Sequence, residues 1–104
     1  MAAELITLTP VTLVASGATP IKTQSTVCSS VIFTADANNT GNIYYGASNV
    51  SSSNGKPMAA GDELQIGYDQ VFGTNGKIDL SQIYFASDTD GNAVRVNYIR
   101  WTSF

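Results

Sequence analysis

The sequence predicts an all-β protein, an antiparallel β-sandwich of jelly-roll-like kind built from seven or eight short strands. Three observations carry that expectation. From Ala93 to Trp101 the residues alternate, with Val94, Val96 and Tyr98 on one pleat face and Arg95, Asn97, Ile99 and Trp101 on the other. A period of two is that of a half-buried strand. Short β-branched and aromatic runs recur between clusters of Gly, Pro, Asn, Asp and Ser, the residues that turn a chain. No window repeats apolar residues at helical spacing for more than a turn or two.

Taken in order, residues 4–8 and 11–15 are short apolar-rich runs on either side of Pro10, which makes their junction a kink or an edge position. Gly17-Ala18-Thr19-Pro20 reads as a turn and residues 21–26 as a polar strand. Residues 27–35 are strongly strand-like, with Val31 and Phe33 facing one way and Ile32 the other. Asp36-Ala37-Asn38-Asn39-Thr40-Gly41 breaks that strand, and residues 42–46 form a compact one around Ile43, Tyr44 and Tyr45. The longest polar stretch, residues 49–57, reads as an exposed loop. A strand over 63–68, a second loop over 69–77 and strands over 78–86 and 93–101 follow, the last two joined by Asp88-Thr89-Asp90-Gly91-Asn92. With no repeat and no linker, residues 1–104 read as one β domain.

Composition narrows the chemistry. Charged residues make up 12% of the chain, about half the usual share of roughly 25%. A net charge of −3 with five scattered basic residues argues against nucleic acid as a partner. Histidine is absent, and with it the commonest general base and metal ligand. The single Cys28 allows no internal disulfide and no paired-cysteine metal site. No apolar run approaches the roughly 18 residues of a membrane span, and the N-terminal residues lack the pattern of a secretory signal. The expectation is a soluble chain made in a cytoplasm, with no membrane partner and no cofactor.

The remaining constellations favour plain roles. Asp88-Thr89-Asp90-Gly91-Asn92 resembles the start of a calcium loop, but the twelfth position is Ile99 instead of the bidentate Glu. It reads as a hairpin turn. Asp62 and Glu63 are strand neighbours pointing to opposite faces, so they do not converge as a catalytic pair. Cys28, with no histidine to activate it, reads as a small core residue. Asn38-Asn39-Thr40 and Asn49-Val50-Ser51 fit the glycosylation pattern and read as ordinary loop residues. Tyr44, Tyr45, Tyr68, Tyr84, Tyr98 and Trp101 leave two readings, packing in a core or subunit interface and a sugar-stacking platform. Because Tyr44 and Tyr45 are adjacent, at least one must leave the core. Arg95 and Arg100 either meet carboxylates across a subunit boundary or form a solvated rim.

A series of phrases in the chain carries a family likeness. It runs Asn42-Ile43-Tyr44-Tyr45-Gly46, the loop 50–55, Lys56-Pro57-Met58-Ala59-Ala60-Gly61-Asp62-Glu63, Ile78-Asp79-Leu80-Ser81-Gln82-Ile83-Tyr84 and Val94-Arg95-Val96-Asn97-Tyr98. Over residues 35–101 it resembles small virion proteins of tailed bacteriophages, with Met58 where a Leu is usual. The resemblance implies a non-enzymatic virion structural protein on the capsid exterior. Its role would be that of a capsid decoration (cement) protein, a homotrimer stabilising the major capsid protein lattice. It implies no catalytic residues. Residues 1–9 are expected to act as an assembly arm that adds a strand to a neighbour's sheet. Contacts are expected at Glu4, Leu5 and Ile6 of that arm, at Val50, Ser52, Asn54 and Lys56, and at Arg95 and Arg100. A tail, neck or fibre module is the alternative virion role, and a carbohydrate-binding β-sandwich, with a glycan as partner, is the alternative from another class.

Overall fold

Alternation in the sequence becomes alternation in burial. A computed structural model describes residues 2–24, 26–67 and 78–102. The expected loop 69–77, Tyr68 and the side chain of Trp101 lie outside the described residues. The strands are β1 (Ala2–Thr7), β2 (Val11–Thr12), β3 (Thr19–Pro20), β4 (Val27–Cys28), β5 (Ser30–Ala35), β6 (Ile43–Gly46), β7 (Lys56–Met58), β8 (Glu63–Gly67), β9 (Ile78–Asp79), β10 (Tyr84–Ser87) and β11 (Ala93–Thr102). Along β11, Val94, Val96 and Tyr98 are at most 4% exposed, as the period of two requires. Along β5, Val31 and Phe33 are buried while Ile32 faces out.

All pairings are antiparallel and fall into two main sheets. The larger has the order β1-β11-β5-β8, with β2 also on β11, and the smaller has β3-β10-β6-β7. Counting the eight strands on these two paths from the N-terminus, the orders are 1-8-3-6 and 2-7-4-5. That is a long hairpin rolled up so that first meets last, second meets seventh, third meets sixth and fourth meets fifth. Such a roll of eight strands in two sheets is a jelly roll. The two-residue ladder β4-β9 continues the same wrapping between the larger pairings.

The core fills the gap between the sheets. Phe33 from the large sheet meets Phe85 and Tyr45 from the small one, with ring centroids 5.2 and 6.3 Å away. The Phe33–Phe85 contact is edge-on, at 62° between ring planes, the geometry that aromatic quadrupoles favour. Ile43, Met58, Val31, Val94 and Val96 pack around them, each at most 2% exposed.

Several sequence expectations change in the structure. Residues 88–92 turn, but they do not close a hairpin, because β10 and β11 belong to different sheets. An Asp-Gly signal specifies a backbone reversal without specifying which strands pair afterwards. Here the turn bonds to residues 13–15. Leu13 N–H donates to Asn92 O at 2.7 Å, Gly91 N–H to Leu13 O at 3.0 Å and Ala15 N–H to Asp90 Oδ1 at 2.7 Å. The strand expected over 21–26 sits earlier, at Thr19–Pro20, within the segment that reads as a turn. The strand expected over 78–86 is split by a 3-10 turn at Leu80–Gln82. Asp79 Oδ1 accepts from Ser81 N at 3.0 Å and Ser81 Oγ at 2.7 Å, a local bond that competes with strand pairing.

Pro10 has a definite task. β1 pairs with β11 as Thr7↔Asn97, and Leu8 N–H donates to Val96 O at 3.1 Å. Past the proline, pairing resumes as Val11↔Val94. Thr9 and Pro10 therefore stand opposite Arg95 alone, a β-bulge. The extra residue switches the inward set from even to odd numbers. Ile6 and Leu8 pack on the core before it, and Val11 and Leu13 after it.

Candidate functional site

The expected contact residues separate into two groups on opposite sides of the sandwich. Glu4, Leu5, Ile6, Arg95 and Arg100 lie on β1 and β11 of the large sheet. Val50, Ser52, Asn54 and Lys56 lie on the loop after β6 and at the start of β7, over the outer side of the small sheet. No single surface collects all nine.

The loop is a built piece of structure. Val50 is 7% exposed and packs with Tyr44 and Ala86, so it is a core residue of a small second cluster and not a free contact. The polar neighbours conceal this from a sequence reading. Val50 fits because Gly46 and Gly55 leave room: a Cβ on Gly55 would stand 2.6 Å from Val50 Cγ2 and 2.7 Å from Tyr44 Cβ. Asn54 holds the turn closed, accepting from Ser51 N at 2.7 Å and donating to Asn49 O at 3.2 Å. Ser52, Asn54 and Lys56 remain exposed. Beside the loop, residues 15–17 and 50–52 border a shallow cleft of about 210 Å³ above Ala86 and Ser87.

The adjacent tyrosines face opposite ways, and both are taken up by packing. Tyr45 joins the main core, while Tyr44 is 9% exposed under Val50 and donates its hydroxyl to Asp88 Oδ2 at 3.0 Å. That hydrogen bond holds the Tyr44 phenol above its ordinary pKa. Tyr98 is 4% exposed.

On the large sheet, both arginines find carboxylates within the chain. Arg100 Nε donates to Glu4 Oε1 at 2.9 Å, and Arg95 Nε lies 3.7 Å from Asp36 Oδ2. Ile6 is half-buried and packs on the core, so of Glu4, Leu5 and Ile6 it is Leu5 that stands out, at 68% exposure. The arm itself is a strand of its own sheet, paired with β11 from Ala2↔Thr102 to Thr7↔Asn97. Its inner edge is thus occupied.

The outer face of the large sheet is a feature that the sequence reading did not assemble. Strand register places Thr7, Asn97, Ile32 and Gln65 in one row across β1, β11, β5 and β8. The next row holds Leu5, Ile99, Ser30 and Gly67, and the row on the other side holds Arg95, Thr34 and Glu63. Two adjacent rows therefore carry no charge. Ile32 is 36% exposed at the centre, and Thr7 Oγ1 donates to Asn97 Oδ1 at 2.6 Å. The signal for this face was present, since Leu5, Ile32 and Ile99 are apolar residues at outward positions. Their adjacency depends on a strand order that sequence alone does not give.

The carboxylates serve the turns. Asp36 accepts from Asn38 N at 3.0 Å, Asp62 from Ala59 N at 2.9 Å and Asp88 from Asn42 N at 3.3 Å. Among the described residues, no three of Cys, Asp and Glu gather into a group that could hold a metal ion. Cys28 is 3% exposed, and burial, followed by the charge of Asp79, pushes its thiol up to about 11. A thiol so disposed is a packing group, since the thiolate is the nucleophile. Comparison with protein-family models, curated proteins and solved structures finds no match.

Proposed function

We propose that this chain is a structural protein of a bacteriophage virion, a capsid decoration protein that binds the major capsid protein through the two uncharged rows on the outer face of its large sheet. The observation that supports this reading is that pair of rows, with Leu5, Ile99, Thr7, Asn97, Ile32 and Gln65 and without a charge, on a jelly roll. Jelly rolls occur in viral capsid domains, which supports the reading by analogy of fold. Interface cores are depleted in charge, and a rigid β face loses little freedom on binding. The family likeness over residues 35–101 points the same way.

Jelly rolls also serve lectins, but the described tyrosines that a sugar platform would use are spent on packing. Tyr44, Tyr45 and Tyr98 all lie in clusters. The carbohydrate reading is therefore the weaker one.

Co-sedimentation with undecorated capsids of the phage that encodes the chain tests the proposal. The chain is expected to pellet with the capsids in proportion to the major capsid protein. Ile32→Lys, at the centre of the face, is expected to weaken binding about tenfold or more, the cost of losing one contact worth more than about 1.4 kcal/mol. Binding to purified tails and not to capsids would move the role to the tail. Capsid binding that is unchanged in Ile32→Lys would remove the outer face from the contact.

A further inference from the structure

Sheet edges invite pairing by another strand, and proteins block them with proline, lysine, charge or bulges. The small sheet is blocked at both edges, by Pro20 in β3 and by Lys56 and Pro57 in β7. On the large sheet, Pro10 and its bulge guard the β2 end of one edge. The β8 edge begins with Glu63 and runs toward residues outside the described set. β1 itself contains no proline and no lysine, and its one charge, Glu4, is tied to Arg100 at 2.9 Å.

The phase of the free backbone groups is fixed. Leu8 N–H points to β11, where it meets Val96 O. Bonded residues alternate along an antiparallel ladder, so residues 4 and 6 also face β11. Residues 3, 5 and 7 turn their N–H and C=O groups to the other edge of β1, which no strand among the described residues covers.

We propose that β1 is a self-association edge, on which a second copy of this chain lays its own β1 antiparallel across a twofold axis at Leu5. The set 3, 5, 7 is symmetric about residue 5. Turned end for end, residue 3 meets residue 7 of the second copy, 5 meets 5 and 7 meets 3. Every free donor then finds a free acceptor, and the large sheets of the two copies become one. A second copy brings a strand of the same length whose free groups fall in the matching phase at this axis. Leu5, 68% exposed, is covered by Leu5 of the second copy. Glu4 falls across from Ile6 of the second copy, so like charges are not directly opposed. The contact closes after two copies, where the family likeness implies three.

A strand of six residues is a small contact beside the roughly 1,200–2,000 Å² of a standard interface, so the dimer forms reversibly. Light scattering over a concentration series is expected to show the mass rising from one chain to two. Deuterium exchange is expected to show the Leu5 and Thr7 amides slowing in step with that rise. Leu5→Lys, which places like charges at the axis, is expected to weaken association at least tenfold with an unchanged far-UV spectrum. A mass that stays at one chain into the millimolar range overturns the proposal, as does a trimer. A dimer whose Leu5 and Thr7 amides exchange as in the monomer places the contact elsewhere and overturns it too; this arm holds even if Leu5→Lys fails to fold.

Discussion

Two asparagine side chains take the place of backbone at the corner where the chain passes from one sheet to the other. Asn92, 4% exposed, donates to Thr40 O at 2.7 Å and Ser87 Oγ at 2.9 Å, and accepts from Thr40 N at 2.9 Å. Asn39 matches it by accepting from Ala93 N at 2.8 Å and donating to Ala93 O at 2.9 Å. Asn92→Ala would remove three hydrogen bonds, one buried and two part-buried, and a buried group left without its partner costs about 1–3 kcal/mol. A loss of about 3 kcal/mol is expected from urea unfolding, and a loss below about 1 kcal/mol would show that water replaces the amide. The sequence marked Asn92 and Asn39 as turn formers, which they are. It could not show that they bond across 52 and 54 positions to each other's turns, because such pairing depends on the finished topology.

At the scale of the element, long strands were legible and short ones were not. β5 and β11 announce themselves by alternation over six and ten residues. β3 has two residues, one a proline, and no periodicity to read. The bulge at Thr9 and Pro10 shows why local rules can still be informative, since the proline correctly flagged an edge kink. Deleting Thr9 removes the extra residue and forces one register through β1 and β2. Either Ile6 and Leu8 or Val11 and Leu13 must then turn outward. Exposing two aliphatic side chains at about 1.5–3 kcal/mol each predicts a loss of about 3–6 kcal/mol. Thr9→Ala, which keeps the count, is expected to change stability by less than about 0.5 kcal/mol. Equal urea midpoints for the deletion and Thr9→Ala would mean the bulge carries no register.

For the whole molecule, alkaline pH probes the packing. The Cys28 thiol is raised to about 11, Tyr45 is raised by burial, and Tyr44 is raised by its hydrogen bond to Asp88. Each group holds its proton more tightly folded than unfolded. The stabilisation is therefore complete below the unfolded values and fades as pH rises through the folded ones. Thermal melts are expected to give a steady Tm up to about pH 9 and a falling one toward pH 11, and a flat Tm across that window would contradict the burial of Cys28 and Tyr45. The outer face of the large sheet, by contrast, was the part least legible in advance: alternation assigns a residue to a face, and only strand order says who its neighbours are. That same order has a consequence for biosynthesis. β11 lies between β1 and β5, yet it leaves the ribosome after every other described strand. Until it emerges, β1 has no partner among the described strands and β5 lacks one of its two. The nascent chain must hold its earliest strands in waiting, and the large sheet closes only when β11 slots in.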